Sequence, residues 1–156
     1  MSDSPSPIPH PALSKKSESR VAAVEALYAQ RLSEKTKTAA SAINDIIEYY
    51  QETNDHKKIQ PHFITTLVEG TLTHQANIDQ LITSHLADNW RFDRLNIILQ
   101  CILQIGTFEL AHHPETPFKV IINEYTQITH YFCDEKETAF VNGILETIAD
   151  FLRSNP

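Results

Sequence analysis

Histidine and cysteine are the residues of this sequence with the widest chemistry, and their spacing argues against a metal site. The chain has eight histidines and two cysteines, Cys101 and Cys133. It contains no Cys-x-x-Cys pair and no His-x-x-x-His pair backed by further ligands. His130 and Cys133 stand three residues apart and suggest a dyad, but a packed cysteine beside a surface histidine explains them better.

The sequence also lacks the motifs whose backbone N–H groups bind a phosphate or an oxyanion. The sequence has no phosphate loop, no Gly-rich turn before a helix and no G-x-S-x-G motif. With 3 glycines in 156 residues, it is poorly equipped for the tight turns that nucleotide sites use. We therefore expect a protein that is not an enzyme and takes no cofactor or small-molecule substrate.

Binding chemistry is concentrated near the N-terminus. Lys15, Lys16 and Arg20 stand together, and positions 16 and 20 are neighbours on one side of a helix. Tyr28 follows two turns later and can offer its ring to an unstacked base. The alternatives are a solvated basic helix face for the cations and a half-buried core aromatic for Tyr28.

Charge is unevenly distributed along the chain, whose net charge is −7. Residues 14–37 hold six basic and three acidic side chains, whereas residues 59–156 hold five basic and twelve acidic ones. The total argues against a generic basic nucleic-acid coat protein, while the asymmetry suggests a polyanion or a membrane surface as partner.

The sequence shows neither a transmembrane segment nor a secretory signal, and these two features bear on the cellular compartment. No window approaches 18 uninterrupted apolar residues, and the N-terminus has no apolar signal region. The sequence predicts reduced thiols and a cytoplasmic protein with no membrane segment.

The elements that position these residues are almost all helical. Prolines at 5, 7, 9 and 11 predict a disordered tail over residues 1–13, followed by a single domain over residues 14–156. Apolar residues at helical spacing predict helices near 17–33, 38–52, 61–72, 93–113, 117–132 and 134–152, and residues 78–86 form another helix or continue the third. We expect an all-α fold, a compact bundle of about seven helices arranged as two sub-bundles that share the apolar helix around Cys101.

Capping residues fix the expected helix ends. Ser17 and Asp93 are suited to be N-caps, and Pro61 suits a first helical position. Asp134 with Glu137 resembles a reciprocal cap for the last helix.

Gly106 and Gly143 lie in the middle of predicted helices, and each costs about 1 kcal/mol there relative to alanine. We expect the helices of Gly106 and Gly143 to cross near these residues. The amide of Asn142 should then be hydrogen-bonded to the loop before Pro117 or to the start of the next helix, where Asn123 and Glu124 lie.

Two spaced motifs are the most specific feature of the sequence. The first is P-x-x-V-x-I-N-E at 117–124, and the second is F-V-N-G at 140–143. Together with VAAVEALYAQ and LQIGTFEL, in this order and at these separations, they make the chain similar to the NusB family of transcription antitermination factors. The resemblance covers about residues 20–152.

The resemblance implies a fold of two small perpendicular helical bundles with no catalytic activity. It implies binding of boxA RNA from ribosomal RNA operons, with the ribosomal protein NusE, to help RNA polymerase pass terminators in an antitermination complex. It implies RNA contacts from the N-terminal basic stretch, here Lys15, Lys16 and Arg20, and from Tyr28, Lys119 and Phe140. It implies that Asn142 and Gly143 pack the last helix against Asn123 and Glu124.

Two departures and two alternatives accompany this interpretation. The arginine-rich stretch of the family is reduced here to residues 15–20, and Leu99, Gln100 and Gln104 stand where the family often has charged residues. One alternative is a protein-binding helical adaptor with little RNA affinity. The other is the N-terminal RNA-binding domain of an RNA cytosine methyltransferase.

Overall fold

The computed structural model describes residues 14–34, 36–53 and 59–154. Within these ranges it contains no strand, and its seven α-helices are α1 Lys15–Leu32, α2 Ala39–Glu52, α3 Pro61–Thr73, α4 Gln75–His85, α5 Ile97–His112, α6 Phe118–Phe132 and α7 Glu135–Ser154. The all-α prediction is confirmed. The tail predicted over residues 1–13 lies outside the described residues.

The first helix begins earlier than its predicted cap. Ser14, not Ser17, is the N-cap of α1, and its hydroxyl accepts a hydrogen bond from the Ser17 backbone N–H at 3.0 Å. The prediction of Ser17 as cap was wrong because an equally good capping residue stands three positions upstream. As a result, Lys15 and Lys16 belong to the first turn of α1.

The start of α5 was also mispredicted. Asp93 lies in a short 3₁₀ turn, Phe92–Arg94, and α5 starts only at Ile97. Its cap is Asn96, whose side-chain oxygen accepts from the Leu99 N–H at 2.9 Å. The predicted reciprocal cap of α7 is confirmed, since the Glu137 N–H donates to Asp134 Oδ1 at 2.8 Å and the Asp134 N–H donates to Glu137 Oε1 at 3.3 Å.

The core is built around α5. Every residue from Leu99 to Leu110 is buried, as the all-round apolar pattern predicts. Helices α1, α3, α4, α6 and α7 all pack on it. Helices α1, α2 and α3 form one group, while α6 and α7 pack closely on each other and α4 joins them.

Gly106 in α5 allows close packing, as predicted. A Cβ built there would lie 3.2 Å from Cγ of Tyr125 in α6 and 3.4 Å from Cδ1 of Leu145 in α7. A larger side chain would push these two helices away from α5.

Candidate nucleic-acid interface

The exposed start of α1 carries two cations. Lys15 and Lys16 are both exposed, whereas the residues from Ser17 onward turn into the body of the protein. Nζ of Lys16 lies 5.3 Å from the centre of the Phe63 ring. Neither lysine forms a salt bridge with a described residue.

Arg20 does not belong to this exposed patch. It is 3% exposed and forms ion pairs with Glu109 at 2.6 Å and Glu124 at 3.1 Å. Burial alone would lower the pKa of Arg20, but the hydrogen bond to Glu109 and the neighbouring Tyr125, Glu109 and Glu124 raise it above its usual value. Carboxylates of two other helices thus hold the Arg20 guanidinium inside the protein, apart from the exposed lysines, and its contact with RNA stays a prediction.

The carboxylate that holds Arg20 is itself shared. Oε1 of Glu109 also accepts a hydrogen bond from the Tyr125 hydroxyl at 2.7 Å. Full burial, followed by the charge of Glu109, raises the pKa of Tyr125 well above its usual value, so this hydroxyl stays a donor. The network joins α1, α5 and α6. It gives a structural role to Glu124, the last residue of the P-x-x-V-x-I-N-E motif.

The other cations between residues 14 and 37 have partners as well, wherever they are described. Arg31 donates to the buried amides of Gln100 at 2.7 Å and Gln104 at 3.1 Å. Lys37 pairs with Asp45 at 2.6 Å. The basic N-terminal segment thus reduces to Lys15 and Lys16 among the described residues, fewer than its composition suggests.

A groove runs beside these two lysines. It is lined by Lys15 and Lys16 from α1, by Pro61 and Phe63 from α3, and by neighbours that include His113 and Glu115. A hydrogen bond from His113 at 2.8 Å, together with the charge of Lys16, holds the pKa of Glu115 below its usual range. An anion entering the groove would therefore meet two ammonium groups and one carboxylate.

Tyr28, Lys119 and Phe140 lie on three different helices. Tyr28 is half-buried and packs against the core, so most of its ring serves the fold. Lys119 is exposed in the first turn of α6 and forms no salt bridge with a described residue. Phe140 is half-buried on α7, and its ring centre lies 4.6 Å from that of Trp90.

Trp90 is a candidate that the sequence interpretation missed. It is 40% exposed and lines a pocket with Phe140, Arg94 and Lys136. Neither Arg94 nor Lys136 has a salt bridge to a described residue, and Asp134 and Glu137 line the same pocket. The available signal was a single tryptophan in a loop flanked by Arg91 and Arg94.

The F-V-N-G motif behaves only partly as predicted. Asn142 Nδ2 donates to Thr126 Oγ1 at 3.1 Å, so its amide is anchored to α6, one turn beyond the predicted partner segment. Gly143 is exposed, and a Cβ built there would meet no atom within 4 Å. The prediction that Gly143 marks a helix crossing was wrong, because it points away from α5 and α6.

The remaining candidates show no activated chemistry. Burial, followed by the charge of Glu137, raises the pKa of Cys133 to about 11, which is the opposite of an activated thiolate. Over residues 14–34, 36–53 and 59–154, no group of three His, Cys, Asp or Glu side chains is placed to hold a metal ion. In the same ranges no helix is long and apolar enough to cross a membrane.

Comparison with known proteins gives a consistent result. The family model described as NusB family matches residues 17–150. A transcription antitermination protein NusB of Myxococcus xanthus is 39% identical over 130 residues, which cover 83% of this chain and 91% of that protein.

Solved structures share the same fold. The T. maritima NusB structure superposes with a TM-score of 0.72 at 27% identity, covering 86% of this chain and 90% of that one. A crystal structure of the antitermination factors NusB and NusE in complex with double-stranded RNA has a TM-score of 0.75 at 23% identity and covers 88% of this chain and 97% of that one. At that identity, the second likeness is one of fold.

Proposed function

The chain belongs to the NusB family, and from this membership we propose that it is a transcription antitermination factor. In this proposal it binds single-stranded boxA RNA of ribosomal RNA operons together with the ribosomal protein NusE, as part of the antitermination complex on RNA polymerase. The observation that carries the proposal is the family match over residues 17–150.

The geometry supports a protein that binds RNA and catalyses no reaction. Lys15 and Lys16 offer free ammonium groups, Lys119 offers a third, and Phe140 with Trp90 offers rings for stacking. Phosphate contacts of this kind release counterions and supply affinity, whereas rings and amides act on bases. The protein would act by holding RNA in place beside its partner.

The small number of exposed cations without a described salt bridge supports the need for a protein partner. A few phosphate contacts give a modest electrostatic attraction, and the net charge of −7 opposes it. We therefore expect NusE to supply a further part of the RNA surface, so that the pair binds more tightly than the chain alone.

Fluorescence anisotropy with labelled boxA RNA tests this proposal. The chain alone and the chain with NusE are titrated into boxA RNA and into a scrambled RNA of equal composition at matched salt. We expect a preference for boxA that is strongest for the pair. If neither preparation distinguishes the two RNAs, the proposed function is wrong.

Charge reversal of Lys15 and Lys16 tests the surface. Lys15→Glu with Lys16→Glu should weaken RNA binding and lower the slope of log affinity against log salt by about 1.4, since each single-strand phosphate contact contributes about 0.7. Helicity by circular dichroism should not change, because both side chains are exposed. The control is Lys37→Glu with Arg153→Glu, which changes the net charge equally and should leave a clearly smaller effect.

A protein-binding adaptor remains the second candidate, and the burial of Arg20 favours it. With Arg20 bound to Glu109 and Glu124, and Glu115 beside the lysine groove, the exposed basic surface is small. Size-exclusion chromatography with NusE, followed by RNA addition, separates the two. A stable pair that does not respond to boxA RNA would favour the adaptor.

A further inference from the structure

Gly143 lies in the middle of α7 and is exposed. No atom of the described residues would contact a Cβ at this position within 4 Å. Alanine would fit there and would make the helix more stable. Packing among the described residues therefore gives no reason for a glycine, which directs attention to what approaches this face from outside.

The surface around Gly143 combines elements from two helices. Lys136 and Phe140 lie seven and three residues before it, on the same side of α7. Next to that side is a groove between α6 and α7, lined by Lys119, Val120, Ile122, Asn123, Asn142 and Glu146. Gly143 thus lies between the side chain of Phe140 and a groove with Lys119 in its wall.

The groove presents fixed hydrogen-bonding groups. Because Asn142 uses its amide nitrogen to bond Thr126 at 3.1 Å, its orientation is fixed, and its carbonyl oxygen accepts no bond from a described residue. Asn123 and Glu146 are exposed, and Glu146 forms no salt bridge with a described residue. Amides and a carboxylate in this arrangement can pair with the edges of unstacked bases.

We propose that a single RNA strand crosses α7 at Gly143, with its sugar–phosphate backbone against the bare helix and its bases in the groove between α6 and α7. This inference rests on the proposed function and adds a path for the strand. Phosphates lie toward Lys136, while Lys119 in the groove wall and the acceptors of Asn142 and Glu146 face the bases. Gly143 has no side chain because a methyl group would hold the strand away.

An RNA strand fits this face better than a protein segment does. Single-stranded nucleic acid is bound by cations, exposed aromatic rings and amides. This face has a cation at each side, a partly exposed ring at one end and amides in the groove. The only exposed large apolar residue in the groove wall is Val120, which offers little surface for a protein contact. The face is also continuous with Lys119 and Phe140, which belong to the proposed RNA surface.

Two substitutions at this position make stability and binding change in opposite directions. Gly143→Ala and Gly143→Gln replace the glycine with good helix formers and add no charge, so we expect the melting temperature to rise by about 2–4 °C. Affinity for boxA RNA, measured with the chain alone and with the NusE pair, should fall about threefold for alanine and tenfold or more for glutamine. The control is Ala40→Gln, an exposed position on α2, which packs on α1 and α3.

The results separate this inference from the proposed function. If Gly143→Gln binds boxA RNA within twofold of the parent while the Lys15 and Lys16 reversal weakens binding, the RNA site exists elsewhere and the path over Gly143 is wrong. If Gly143→Gln loses NusE but keeps RNA affinity, the face binds protein and the inference is also wrong. If the parent does not prefer boxA RNA, both proposals fail. If Gly143→Gln lowers the melting temperature, the RNA affinity of Gly143→Ala is the test, and an affinity equal to that of the parent would overturn the inference.

Discussion

At the residue scale, the position of a charge matters more than its presence. Lys16 and Arg20 are one helical turn apart, yet Lys16 is exposed and Arg20 is 3% exposed. The difference arises because Glu109 and Glu124 stand where the guanidinium enters the body, and its planar donors fit two carboxylates at once. A lysine at position 20 would not reproduce this contact.

The pH response of stability should depend on His112. Burial, followed by the charges of His74 and His113, lowers the pKa of His112 below the value of about 6.5 that it has when unfolded. The neutral form is therefore favoured in the folded protein, so its contribution is present above the unfolded pKa and is lost as the pH falls through 6.5 toward the folded pKa.

Urea unfolding between pH 7.5 and 5.5 measures this effect. The parent should lose stability on acidification more steeply than a His112→Gln variant, which cannot take up the proton at that position. Equal pH dependence of the two proteins would show that His112 is not responsible.

At the element scale, the glycines of α3 and α7 should respond in opposite ways to alanine. A Cβ at Gly70 would overlap with Cζ of Phe108, a ring that is 4% exposed and stacked on His112 at 4.9 Å between centroids. Because this ring is buried and packed, we expect Gly70→Ala to destabilise the protein by about 1–3 kcal/mol.

Chemical denaturation of Gly70→Ala and Gly143→Ala gives the comparison. Gly143→Ala should stabilise by up to about 1 kcal/mol, since it gains helix propensity in open space. A Gly70→Ala variant as stable as the parent would mean that Phe108 can move aside.

The cap of α7 is a local contribution that the sequence already predicts. Asp134→Ala removes the acceptor for the Glu137 N–H and should cost about 1 kcal/mol, with loss at the start of α7. Denaturation measures the cost, and hydrogen exchange at the first turn of α7 locates it. Asp150→Ala, near the other end of α7, serves as the control and should have a smaller effect.

At the scale of the whole molecule, one buried network connects three helices. Glu109 on α5 accepts from Arg20 on α1 and from Tyr125 on α6. Removing one charge of a buried pair leaves the other without compensation, which costs about 3–5 kcal/mol. Glu109→Gln keeps the shape and one acceptor, so we expect a loss near the lower end of that range.

Urea unfolding of Glu109→Gln measures this cost against a surface control. Glu115→Gln removes the exposed member of the His113–Glu115 pair and should change stability by less than about 1 kcal/mol. If both variants lose equally little, the Arg20–Glu109 pair is not what holds α1 to α5.

The sequence by itself determined the class of fold and most of its elements. Helical periodicity predicted about seven helices, and Pro61 and the Asp134–Glu137 pair marked ends that the structure confirms. These signals are local, because a helix and its cap are set within a few residues. Competing local signals explain the errors at Ser17 and Asp93, where Ser14 and Asn96 cap instead.

Only the tertiary structure decided which of these side chains are exposed and which are buried. Arg20 is buried because Glu109, 89 positions away along the chain, reaches it, and Trp90 meets Phe140 because the loop before α5 lies against α7. Gly143 is exposed because α7 turns its Val141, Ile144 and Leu145 face toward the core. Such contacts depend on how helices pack, which spacing along one helix does not determine.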